Sequence, residues 1–213
     1  MPGFFLRNNV YLNKNAMPPS RKDLEGPMGG LFLMMIFTSI WTVIAEVALE
    51  LRDFGLIGGF FALMVLYFLA HYIKFHGVEQ TLPRTTGTAE ALEDRKRTRQ
   101  FLYIFGTEGL AILVVKNILV NTNLDYLFIP SLALIVGLHF FPLAGVFKRR
   151  FDYYLAAWTT FIGLGGILLT IEKIILPNTA IAIVAIGCAL ATAANGVRTV
   201  IQGNRIIGRS YPE

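Results

Sequence analysis

Six stretches of nearly unbroken apolar residues, at about 30–51, 56–75, 101–120, 126–147, 152–172 and 178–202, alternate along the chain with polar connections. Each is close to the roughly 20 residues a helix needs to cross about 30 Å of hydrocarbon. The connections are a turn at Arg52-Asp53-Phe54-Gly55, a long polar loop at 76–100, a short turn from Asn121 to Asp125, a basic turn at Lys148-Arg149-Arg150, another short turn from Glu172 to Asn178, and a polar tail at 203–213. This pattern predicts an all-α polytopic membrane protein with six transmembrane helices arranged as three hairpins. Tyr72, Tyr103, Tyr126, Tyr153 and Tyr154 fall at the ends of these runs, where an amphipathic ring suits the membrane interface. Residues 1–29, broken at Pro18-Pro19 and Gly26-Pro27, read as a cytoplasmic or interfacial arm. A cleaved leader fits poorly, because Glu46 follows where a small-residue cleavage site is wanted.

Composition agrees: 54% of the 213 residues are hydrophobic and 15% charged, against about 25% charged in soluble proteins. The mean hydropathy is +0.57. A net charge of +5 raises the question of nucleic acid, but the Lys and Arg residues lie just outside the apolar runs, where orientation in the bilayer accounts for them. With the N-terminus in the cytoplasm, all of the 19 Lys and Arg residues except Arg52, Lys116 and Lys173 fall inside. That bias predicts cytoplasmic N- and C-termini and no nucleic-acid partner. In the loop, Thr88 to Gln100 is rich in helix formers, with Glu93 four residues before Arg97, so it is expected to extend the third span beyond the membrane. The basic run Arg95 to Arg99 reads as a positive-inside anchor.

The informative exceptions are ionisable residues within the runs, since each costs roughly 2.5–3.5 kcal/mol at mid-membrane on insertion scales. Glu46, Glu108, Lys116 and His139 form the expected intramembrane polar set, with Glu50, Pro142 and Asn195 in support. Ser39, Thr42, Glu46 and Glu50 recur at three- and four-residue steps, so one stripe of the first span should face protein or water. Glu46 and Lys116 lie at similar depths below the same surface, which predicts an ion pair of Lys116 with Glu46 or Glu50. Glu108 and His139 lie at matching depths from the opposite ends of two consecutive spans, roughly 10–12 Å in, and are expected to meet. Pro142 removes a helical hydrogen bond one turn from His139, and Gly106, Gly109 and Gly137 are expected to allow close backbone approach there.

The last two spans carry Gly163, Gly165 and Gly166, then Ala185, Ala189 and Ala193 at four-residue steps, faces suited to packing within the protomer or between copies. Thr192, Asn195 and Thr199 form a second stripe, and Arg198 is expected to reach the headgroups. Cys188, the single cysteine, reads as a packing residue. No phosphate loop, serine elbow or His-Glu-x-x-His pattern occurs. Ser131 lies two turns from His139 on one helix, too far along the axis for a proton-transfer bond. No enzyme activity, cofactor or metal is expected. His71 and His76 join His139 in a metal site only if their helices converge.

The segment Gly137-Leu138-His139-Phe140-Phe141-Pro142-Leu143-Ala144, followed by a basic turn and Phe151-Asp152-Tyr153-Tyr154, resembles a group of small bacterial multi-pass membrane proteins with a Gly-x-His-Phe-x-Pro signature. The resemblance covers about 130–155. It implies a bacterial inner-membrane location and a hallmark role for the His-Phe-x-Pro element, and no activity. Two functions stay open. One is a small permease or channel-like protein for an ion, proton or small solute, with the Glu, His and Lys residues lining its path. The other is a non-catalytic subunit or scaffold that oligomerises through the small-residue faces of spans 5 and 6 or anchors a partner.

Overall fold

The computed structural model describes residues 19–50, 52–83, 88–147 and 149–210. Residues 1–18 of the arm, Lys148 of the basic turn and residues 211–213 of the tail lie outside these, as does the Glu93 side chain expected to pair with Arg97. The helices are α1 (Arg21–Leu49), α2 (Leu56–Glu79), α3 (Thr88–Asn121), α4 (Phe128–Phe147), α5 (Arg150–Ile171) and α6 (Pro177–Ser210), with one 3-10 turn (Asp125–Leu127) before α4. There is no strand among the described residues. All six helices are long and apolar enough to cross a bilayer, the build of a multi-pass membrane protein.

Two helix ends differ from expectation. α1 begins at Arg21, so residues 21–29 belong to the first helix and not to an arm. Ser20 sets that start: its backbone N–H (2.8 Å) and hydroxyl (2.9 Å) both donate to the Asp23 carboxylate, satisfying groups that a helix N-terminus leaves open. Pro27 is tolerated two turns in, buried on the core side, because it forfeits only one intrahelical hydrogen bond. At the other end of the chain, α6 runs on to Ser210 and takes up most of the expected tail.

α6 is the centre. It packs against α1, α2, α4 and α5, and α1 with α6 makes the largest interface, followed by α4 with α5. Two thirds of the apolar stretch of α6 is buried (67%), against 6% of that of α3, so a bundle axis and a rim are clearly distinguished. On α1 the buried positions are Leu24, Pro27, Met28, Leu31, Met34, Thr38, Trp41 and Ala45; apart from Met28 they recur at three- and four-residue steps, which lays one seam along α6. The expected stripe lies beside it: Ser39 is exposed and Thr42 half-buried, their hydroxyls donating to Met35 O and Thr38 O of their own helix.

On α2 the buried rings are Phe61, Phe68 and Phe75, one heptad apart. Phe68 lies over Gly196 and Phe75 over Gly203, so closely that a Cβ on either glycine would overlap the ring. The α4–α5 interface uses the same device. A Cβ at Gly163 would stand 2.5 Å from the Leu134 backbone nitrogen and 2.9 Å from Pro130 O, and one at Gly137 would strike the Thr160 backbone. Ala185, Ala189 and Ala193 are buried, and Gly163 and Gly166 face α4 and α6. The small-residue faces of spans 5 and 6 are therefore used largely inside the chain, with Gly165 left open.

Gly163→Ala is expected to destabilise the bundle by roughly 1–3 kcal/mol, the usual range for overpacking, because the obstructing atoms are backbone. Gly165→Ala, whose Cβ would meet nothing within 4 Å, is the control and should melt at or above the parent temperature. Thermal unfolding in one detergent compares the two.

Candidate functional site

The side of α3 that meets α4 carries Ile104, Glu108, Ala111, Ile112, Val115 and Leu119, all half-buried on an otherwise largely exposed helix. Glu108 is the one ionisable group among them. It lies against His139 of α4, with Oε1 3.1 Å from Nδ1 and side chains only 9% and 13% exposed. The expected pair is therefore present. Although the distance is short, His139 Nδ1 is buried without an aligned hydrogen bond, so the two side chains are in polar contact without a formed bond. The Phe140 ring packs 4.6 Å from the imidazole.

The supporting cast is not the expected one. Gly106 and Gly109 point to open space, and Gly137 faces Thr160 of α5, so none of the three brings α3 close to α4. Pro142 lies inside α4 but is exposed on its outer face.

Glu46 is occupied elsewhere. Its carboxylate accepts the N–H of Gly58 in the first turn of α2, while Asp53 accepts those of Ile57 (2.8 Å) and Gly55 (3.2 Å). Two carboxylates thus cap one helix N-terminus, where open N–H groups and the helix dipole favour negative charge. Glu50 ends α1 in the left-handed region (φ 53°) and pairs at 2.7 Å with exposed Arg52. Lys116 is exposed on α3. The expected pair of Lys116 with Glu46 or Glu50 does not form, because α1 packs on α6 and α2 while α3 packs on α4.

Asn195 is buried, with Oδ1 lacking a partner. Thr192 and Thr199 are buried on the same side of α6, and the Thr38 hydroxyl donates to that of Thr192 at 2.9 Å. The second stripe accordingly lines the α1–α6 seam. His71 Nδ1 lies 3.0 Å from Tyr67 O and His76 Nδ1 3.4 Å from Glu79, so the three histidines do not converge.

The sequence reading missed two ion pairs at the end shared by the α1 start and the α6 end. Arg21 joins α1 to Glu79 of α2 at 2.5 Å, reinforced by the Arg21 N–H to Pro83 O bond. Arg198 of α6 reaches Asp152 of α5 at 2.8 Å and stacks over the Phe151 ring, so it anchors two helices and does not simply extend to headgroups. A signal existed: Glu79 and Asp152 are acids among the basic residues of the chain, and a buried acid in such surroundings calls for a specific cation.

Comparison with known protein families, curated proteins and solved structures finds no match to this chain.

Arg198→Met should destabilise the bundle by about 1–3 kcal/mol, since it leaves the Asp152 carboxylate buried and unpaired. Asp152→Asn/Arg198→Met should recover part of that loss, which chemical unfolding of the purified variants measures. The backbone N–H of Ile57, chiefly, holds the Asp53 carboxyl below its ordinary value. A lowered folded value contributes stability above the unfolded value and loses it as pH falls through the folded one. Hydrogen exchange at Ile57 and Gly55 should therefore accelerate as pH drops below roughly 4, relative to Asp53→Asn, in which it should be fast throughout.

Proposed function

We propose that the protein is a membrane subunit that holds another transmembrane helix against α3. The supporting observation is the outer face of that helix. Leu102, Gly106, Gly109, Leu113, Lys116 and Val120 recur there at four- and three-residue steps, opposite Glu108, and all are exposed. Exposed Asn117 adjoins them, its amide donating only to Leu113 O of its own helix. Acyl chains offer nothing to an amide or an ammonium, so such groups in a span normally turn toward protein or water. Gly106 and Gly109, with no atom within 4 Å of a Cβ built on either, would let a second backbone approach closely. The Glu108–His139 contact then has a structural task, fastening the receiving helix to the rest of the bundle. The charge bias supports cytoplasmic termini, and the resemblance over about 130–155 supports a bacterial inner membrane.

Permeation of a proton, cation or small solute is the second reading, favoured by that same contact. A carboxylate beside an imidazole within a span is a pair between which a proton can pass without changing net charge. On this reading Glu108 and His139 are the groups that carry the ion.

Gly109→Cys should give a disulfide- or crosslinker-dependent larger species in native membranes, with Cys188 silent because it is buried. Gly109→Leu should abolish the assembly while the bundle melts as before. Absence of any crosslinked species would sink the subunit reading. Flux through proteoliposomes that is lost in both Glu108→Gln and His139→Ala would instead establish permeation.

A further inference from the structure

Between α1, α4, α5 and α6 lies a small cavity with room for a single water molecule, walled by Trp41, Phe140, Thr159, Ala191, Thr192 and Asn195 among others. Most of that wall is apolar. The exceptions are Thr159, Thr192 and Asn195; Asn195 is only 9% exposed, and its Oδ1 is buried with no hydrogen-bond partner in the chain. An orphaned buried amide oxygen is costly, by about as much as the polar group gained from its lost hydration, and inside a membrane bundle no bulk water relieves it. Thr192 has already committed its hydroxyl proton to Cys188 O or Ala189 O and accepts from Thr38, so it has no hydrogen left to give Asn195.

We propose that this cavity is a specific internal water site. One water donates to the Asn195 amide oxygen and completes its hydrogen bonding with the hydroxyls of the wall, Thr159 as donor and Thr192 as acceptor. The chemistry fits water in three respects: the space is of its size, buried waters characteristically join about three otherwise unsatisfied polar groups, and a water both donates and accepts, so it serves the amide in either orientation. The water ties α5 to α6 beside the Thr38–Thr192 bond that ties α1 to α6. It is a structural joint where α1, α4, α5 and α6 meet, lined by none of the α3 residues and apart from the Glu108–His139 contact.

A structure of the full chain in lipid nanodiscs, at a resolution that shows ordered waters, tests this directly. A density peak within hydrogen-bonding distance of the Asn195 amide is expected; its absence, or density continuous with an acyl chain, overturns the proposal. Ala191→Val adds methyl groups to the same wall and separates a wet site from a dry void by sign. Displacing a bonded water should lower the melting temperature by about 2–4 °C, with recovery in Ala191→Val/Asn195→Leu, where no amide is left to satisfy. A higher melting temperature for Ala191→Val alone means that a dry void was filled, and the proposal fails.

Discussion

The bundle rests on the smallness of α6. A helix surrounded by four others must let each approach, and in a bilayer no hydrophobic force drives helices together, because acyl chains are as apolar as leucine. What remains is dispersion, which decays within an ångström of lost contact, and the few hydrogen bonds that lipid cannot supply. Alanine, glycine, threonine and cysteine at most of the buried positions of α6, with Val184, Asn195 and Val200 the others, bring neighbouring atoms into contact range. The large residues then come from the partners: Phe61, Phe68 and Phe75 of α2 and the Trp41 seam of α1 fill what α6 leaves open. Exchange of the roles, with bulk on α6, would hold all four partners away at once.

Charge is distributed on the same logic of satisfaction within the chain. At the end shared by the α1 start and the α6 end, Glu79 and Asp152 are buried against Arg21 and Arg198, each pair joining two helices. At the opposite end Glu50 pairs with exposed Arg52, whereas Glu46 and Asp53 use backbone N–H groups at the start of α2. These are two solutions to one problem: an arginine from a neighbouring helix for Glu79 and Asp152, a helix N-terminus for Glu46 and Asp53.

How much of this was legible in the sequence follows from the range of each interaction. The spans are set by runs of apolar residues and were readable to within a turn at most ends. The early start of α1 was not, because Gly26-Pro27 reads locally as a break while the Ser20–Asp23 cap and the Arg21–Glu79 clasp override it. Depth along a helix also follows from residue counting, and so Glu108 and His139 were matched correctly. Azimuth and neighbourhood do not follow from depth. Lys116 and Glu46 lie at similar levels yet on helices that do not pack together, and Gly106 and Gly109 sit beside Glu108 in sequence but face away from α4. Which helix lies next to which is decided by side-chain volume summed over whole interfaces, as in the Phe68–Gly196 and Gly163–Leu134 contacts, and no local motif encodes it.

The same reasoning gives the Glu108–His139 contact its place. α1, α2, α4, α5 and α6 are each fixed by at least two other helices, whereas α3 packs on α4 and on the 3-10 turn before it. Apart from Glu108 and the terminal Phe101, the half-buried side of α3 is a row of aliphatic and small residues, and in such a row a shift of one turn, roughly 5.4 Å, exchanges one apolar contact for another. A single polar contact removes the degeneracy, because sliding strands a carboxylate and an imidazole against hydrocarbon. The Phe101–Phe147 ring contact near one end of the interface (6.3 Å between centroids) and the Leu124 N–H to Leu119 O bond at the other fit the same register. The buried pair, the ring contact and the short connection from Asn121 to Asp125 thus agree on one register, and of the three only the pair is polar, the kind of contact whose loss lipid does not compensate.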